Sequence, residues 1–149
     1  MEFMPIPVIA AVDALLVLVF VVLGRSSHAE GLTLAGIAGT AWPFLLACAV
    51  GWAFTYVLSA IRGHEPGRAQ TFAPGRVFPA GVIIWVATVA VGMTARGLLT
   101  QSGVQVSFVI VATIVLAVFL LGWRAVARVV LARRAAATPE PRVPESAAD

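Results

Sequence analysis

The sequence predicts an all-α integral membrane protein, a four-helix bundle with both termini in the cytoplasm (N-in/C-in). Three observations lead there. Apolar residues make up 60% of the 149 residues and charged residues only 11%, whereas a soluble domain carries roughly a quarter charged residues. The apolar residues are gathered into four long runs. The arginines are distributed unevenly between the segments that join those runs.

A bilayer core of about 30 Å is crossed by about 20 helical residues. Four runs reach that length: residues 5–24, 34–60, 79–99 and 104–126. They are too long for strands and show no alternating polar period, so they read as helices. The first run is not read as a cleaved leader. Ser27-His28-Ala29 resembles a small-residue cleavage site, but Met1-Glu2-Phe3 lacks positive charge and the run exceeds a usual signal core. Together, residues 1–134 form one four-helix domain, whose fourth helix is expected to continue past its span, with Arg124, Arg128, Arg133 and Arg134 interleaved with Val126, Val129, Val130 and Leu131, to the membrane surface. Residues 135–149 are rich in Ala, Pro and acids and are expected to be a disordered cytoplasmic tail. The two halves do not align with each other, so an inverted repeat is not supported.

Orientation follows from arginine, since lysine is absent. With four crossings the N-terminus, second loop and C-terminus share a side. That side holds Arg62, Arg68, Arg76, Arg124, Arg128, Arg133, Arg134 and Arg142; the other holds Arg25 and Arg96. Positive loops stay inside, so the termini are expected in the cytoplasm and the protein in the cytoplasmic membrane. Trp123 and Phe78 are then expected at the cytoplasmic interface, where aromatic rings collect. The arginines flank apolar blocks and form no separate basic face, which speaks against a nucleic-acid partner.

Chemistry-bearing residues are few. The single cysteine, Cys48, cannot form an intrachain disulfide, and His28 and His64 fall in loops on opposite sides, so no metal site and no cofactor are expected. No nucleophile–base pair or nucleotide motif stands out, so no catalytic residue is assigned.

Asp13 is the most informative position. It lies about 12 Å along the first helix from Pro5, near the bilayer midplane. A carboxylate there must face protein or water, or be protonated. Helical rise places Cys48 or Gly51, Thr88 and Thr113 at its level, and Asp13, Thr88 and Thr113 form a candidate intramembrane polar layer. The layer reads either as an ion- or proton-linked site or as hydrogen-bonded packing. Packing is preferred because the subunit offers no second carboxylate, and the threonines commonly bond their own helix. Arg96 is the obvious charge partner, but register sets it on the order of 10 Å away along the normal. Asp13 is therefore expected to be partly protonated, and Asp13→Asn to be tolerated. On the outer side Arg25, His28, Glu30 and Arg96 form a candidate polar cluster. It is either a site for an anionic head group or small acid, or a clasp between loops. Small residues on the face Trp85, Thr88, Gly92, Arg96 and at Ala47-x-x-x-Gly51 allow close helix approach. Pro43 implies a kink that Thr40 helps to satisfy.

Several segments resemble one prokaryotic membrane family. They are Asp13, Gly24-Arg25-x-x-His28-x-Glu30-Gly31, Thr40-Ala41-Trp42-Pro43-Phe44, Val91-Gly92-Met93-x-x-Arg96 and Gly122-Trp123-Arg124. The family is the domain-of-unknown-function family 3054, and the resemblance covers roughly residues 13–127. It implies a multi-pass membrane protein and carries over no catalytic residue. The expected role is therefore a non-enzymatic membrane protein whose one given partner is the lipid bilayer, with a homo-oligomer and an unidentified small ligand left open. Two alternatives stand beside it: a small oligomeric transporter using Asp13, and a membrane enzyme or binder acting on anionic head groups at the outer face.

Overall fold

The computed structural model describes residues 4–27, 32–63, 72–99 and 105–137. They form four α-helices: α1 (Ile6–Ser27), α2 (Leu34–Gly63), α3 (Val82–Leu99) and α4 (Val106–Ala137). All four are long and apolar enough to cross a membrane. Each start has a local cause. The Pro5 carbonyl accepts the Val8 and Ile9 amides, opening α1 where a proline needs no donor of its own. Thr33 caps α2: its Oγ1 accepts the Gly36 amide at 3.2 Å and its carbonyl accepts the Ile37 amide at 2.9 Å.

The helices run alternately up and down. Phe20, late in α1, meets Phe44, early in α2, at 5.4 Å between ring centroids, and Phe108, early in α4, at 6.4 Å. Asp13, early in α1, bonds to Trp52, late in α2, and to Arg124, late in α4. The core between them includes Val17, Phe20, Phe44, Cys48, Ile84 and Leu116. Large apolar side chains such as Leu15, Leu46, Phe54, Val57, Ile114 and Val118 point outward. In water that surface would drive aggregation; in a bilayer it is the lipid face.

The closest packing is between α2 and α3, and two glycines make it. A Cβ on Gly51 would stand 2.8 Å from the Ile84 Cα, and one on Gly92 would stand 2.7 Å from the Phe44 ring. Here backbone and ring occupy the space a side chain would take, the usual use of small residues between membrane helices.

The third run opens with a π-type turn over Val77–Gly81, in which Phe78 is extended and the Phe78–Pro79 peptide is cis, and continues as α3 from Val82. A proline disfavours helical backbone in the residue before it, which leaves Phe78 extended. α4 runs past the expected span end at 126, as far as Ala137, eleven residues further, and takes the first three residues of the expected tail with it. Val126, Val129, Val130 and Leu131 keep apolar residues on it, and alanine, leucine and arginine are strong helix formers. The rest of that tail lies outside the described residues.

The packing makes a prediction. Gly51→Leu is expected to destabilise the protein by about 1–3 kcal/mol, the usual range for overpacking. Gly39→Ala, where a Cβ meets nothing within 4 Å, should leave stability unchanged or slightly raised. Thermal denaturation of the two variants in detergent checks this; equal melting would contradict the close seam.

Candidate functional site

The site is built from four segments at the end of the bundle where α1 begins and α4 ends. Asp13 comes from α1, Trp52 from α2, Trp123 and Arg124 from α4, and the Pro74 carbonyl from the segment before α3. Asp13 and Arg124 are both fully buried. Arg124 binds the carboxylate with two prongs, Nη1 to Oδ1 at 2.8 Å and Nη2 to Oδ2 at 2.6 Å. Two indoles complete it: Trp123 Nε1 donates to Oδ1 at 2.9 Å and Trp52 Nε1 donates to Oδ2 at 3.0 Å. Each oxygen thus accepts one guanidinium and one indole hydrogen.

The guanidinium is held as closely. Its Nε donates to the Pro74 carbonyl at 3.0 Å and its Nη1 also donates to the Leu120 carbonyl at 2.7 Å. Its carbon sits 4.8 Å from the Trp123 ring centroid, over the aromatic face. The stem of Arg124 lies across Gly81: a Cβ there would stand 2.9 Å from Cδ and 3.1 Å from the Arg76 carbonyl. A glycine at the entry to α3 therefore makes room for an arginine of α4.

This corrects the expectation for Asp13. Trp and Arg donate hydrogen bonds and accept none. Four such donors aimed at two oxygens hold a carboxylate, not a carboxylic acid. Its partner is Arg124, a residue the arginine count assigned to the rim, and Trp123 turns its indole to the same carboxylate. One signal in the sequence pointed that way. Val126, Val129, Val130 and Leu131 follow Arg124, so the apolar pattern persists beyond it and the fourth span can slide to bring Arg124 inside.

The other predicted layer members lie elsewhere in the hydrogen-bond pattern. Thr88 is fully buried on α3 and donates to the Ile84 carbonyl at 2.7 Å. Thr113 donates to the Val109 carbonyl at 2.6 Å, and its own carbonyl accepts Trp85 Nε1 at 3.1 Å. Both hydroxyls thus donate within their own helix. At the opposite end of the bundle Arg25 Nη1 donates to Thr40 Oγ1 at 3.0 Å, its guanidinium lying over Gly36. Thr40 in turn donates to the Gly36 carbonyl at 3.0 Å. Arg96 stands over the Phe108 ring at 4.8 Å from its centroid. These contacts tie Arg25 to α2 and Arg96 to α4. His28 and Glu30, the other members of the predicted outer cluster, lie outside the described residues.

An all-helical protein with four helices able to span a membrane, pinned through a buried carboxylate–guanidinium pair, is the class that fold and site define. The chain belongs to the family described as Protein of unknown function (DUF3054), which it matches over residues 10–127. That stretch contains every side chain of the Asp13–Arg124 centre. No curated protein and no solved structure matches it.

The geometry predicts how the centre responds to change. Removing one partner of a buried pair leaves an uncompensated charge and costs about 3–5 kcal/mol. Asp13→Asn and Arg124→Met are each expected to lose that much, which reverses the tolerance first expected of the asparagine. The double variant Asp13→Leu/Arg124→Met, which removes both charges, should be more stable than either. Unfolding of detergent-solubilised protein measures all three. An Asp13→Asn protein as stable as the parent would show that the pair does not hold the fold.

Proposed function

We propose that this protein is a non-enzymatic multi-pass protein of the cytoplasmic membrane, with both termini in the cytoplasm. In this reading the Asp13–Arg124 centre is an assembly lock. One observation carries it: four N–H donors from α2 and α4 converge on the buried α1 carboxylate, two on each oxygen. A coupling site in a transporter must trade such partners for an ion, a proton or a substrate during each cycle. The centre described above is closed on all four donors and tied to the backbone at Pro74 and Leu120.

The orientation rests on charge. The end of the bundle where the termini emerge carries Arg62, Arg76, Arg128, Arg133 and Arg134 among the described residues, against Arg25 and Arg96 at the other. Asp13 is seven residues from the start of α1, about 10 Å, while α4 continues thirteen residues past Arg124, about 20 Å. α4 therefore overshoots α1 by on the order of 10 Å at Ala137 and carries Arg133 and Arg134 past the level at which α1 begins.

Two measurements test this reading. A reporter active only in the cytoplasm, fused after Asp149, should be active, and the same reporter in the α1–α2 loop should be silent; the reverse pattern would invert the topology. Proteoliposomes should show no proton flux that depends on Asp13. A flux abolished by Asp13→Asn in correctly inserted protein would replace the lock with a transport site.

A further inference from the structure

We propose that a cleft between the end of α2 and the turn before α3 binds the phosphate of an anionic phospholipid. The cleft measures about 50 Å³ and is lined by Ser59 and Arg62 from α2, by Arg76 before the turn, and by the apolar Leu58, Pro79 and Ile83. Arg62 is the penultimate residue of α2 and Arg76 immediately precedes the turn into α3. Both are exposed, so two guanidinium groups frame one opening where α2 ends and the turn into α3 begins.

Charge argues for an anion. Asp13 is the one acidic side chain among the described residues, and Arg124 holds it. No described carboxylate therefore neutralises Arg62 or Arg76. Two guanidinium groups on one cleft suit a phosphate, whose oxygens accept charge-assisted hydrogen bonds from each. Shape argues for a lipid source. Leu58, Pro79 and Ile83 make much of the wall apolar alongside the hydroxyls of Thr55 and Ser59, and the chain neighbours Ile61, before Arg62, and Phe78, in the turn, are 64% and 77% exposed. A phosphodiester on an acyl chain can use both the cations and the apolar surface, whereas free phosphate uses only the cations. Basic pockets between membrane helices are known to take anionic head groups in this way. The proposal depends on the topology above only for which leaflet supplies the lipid.

The experiment uses full-length protein in a neutral detergent, where sidedness plays no part, so its failure is distinct from a failure of the topology. Binding of phosphatidylglycerol, phosphatidylcholine and inorganic phosphate is followed by native mass spectrometry. Phosphatidylglycerol should bind, phosphatidylcholine much more weakly. Arg62→Gln and Arg76→Gln should each weaken phosphatidylglycerol about fivefold, the effect of one basic side chain at an anionic surface. The double variant should fall to the level of phosphatidylcholine. Ser59→Phe, which fills the cleft and keeps both charges, should also lose the lipid. Arg128→Gln/Arg133→Gln removes the same charge outside the cleft and should leave binding within twofold. Equal losses from that control pair, unchanged binding in Arg62→Gln/Arg76→Gln, or displacement of the lipid by an equal concentration of inorganic phosphate would each overturn the proposal.

Discussion

A carboxylate seven residues into an apolar helix must be compensated within the protein, because lipid offers it neither water nor counter-charge. Most of the polar design of this molecule follows from that need. Arg124 supplies the charge and two of the hydrogen bonds. Trp52 and Trp123 supply the other two while keeping large apolar rings in the membrane interior. Arg124 then has its own N–H groups to satisfy, and it reaches the Pro74 and Leu120 carbonyls. The first draws in the segment before α3. Gly81 is a consequence as well, since any Cβ there would collide with the stem of Arg124.

The bundle is therefore held in two different ways along its length. Towards the end with the α1–α2 and α3–α4 connections, contact is apolar and steric: Phe20 packs edge-on to Phe44, and Phe44 fills the space that Gly92 leaves open. Lipid tails are as apolar as these side chains, so burial alone gives little preference for helix over lipid, and fit must supply it. Towards the other end the centre ties three helices and a connecting segment through directional bonds. Those bonds fix the rotation and register of α1, α2 and α4, which packing between smooth apolar faces specifies weakly.

The same contrast bears on function. The Asp13–Arg124 centre is satisfied within the subunit and has the character of structure. The Arg62–Arg76 cleft presents cations that no described carboxylate neutralises. A protein of this size has little room for a pathway through a single four-helix subunit. On the proposed reading its surfaces, rather than its interior, meet other molecules.

The fold class was legible because it depends on length and apolarity, which are properties of consecutive residues. Four long runs among few charges leave little other than four helices in lipid. The family was legible for a related reason: its motifs are short and local, Gly122-Trp123-Arg124 among them. Asp13 could be singled out because any carboxylate at that depth is costly. Its partner could not be read from rise per residue alone. Counting from an assumed membrane edge puts Arg124 at the rim, because the fourth apolar run is bounded at Val126. The helix runs on to Ala137, and the edge assumed for α4 is the weak step. Which arginine reaches a buried carboxylate is decided by how far one helix slides past another. That sliding depends on the two indoles, the glycine at position 81 and the Pro74 carbonyl, groups brought together from widely separated parts of the chain. Sequence sets the need for a counter-charge, and only tertiary packing selects the residue that meets it.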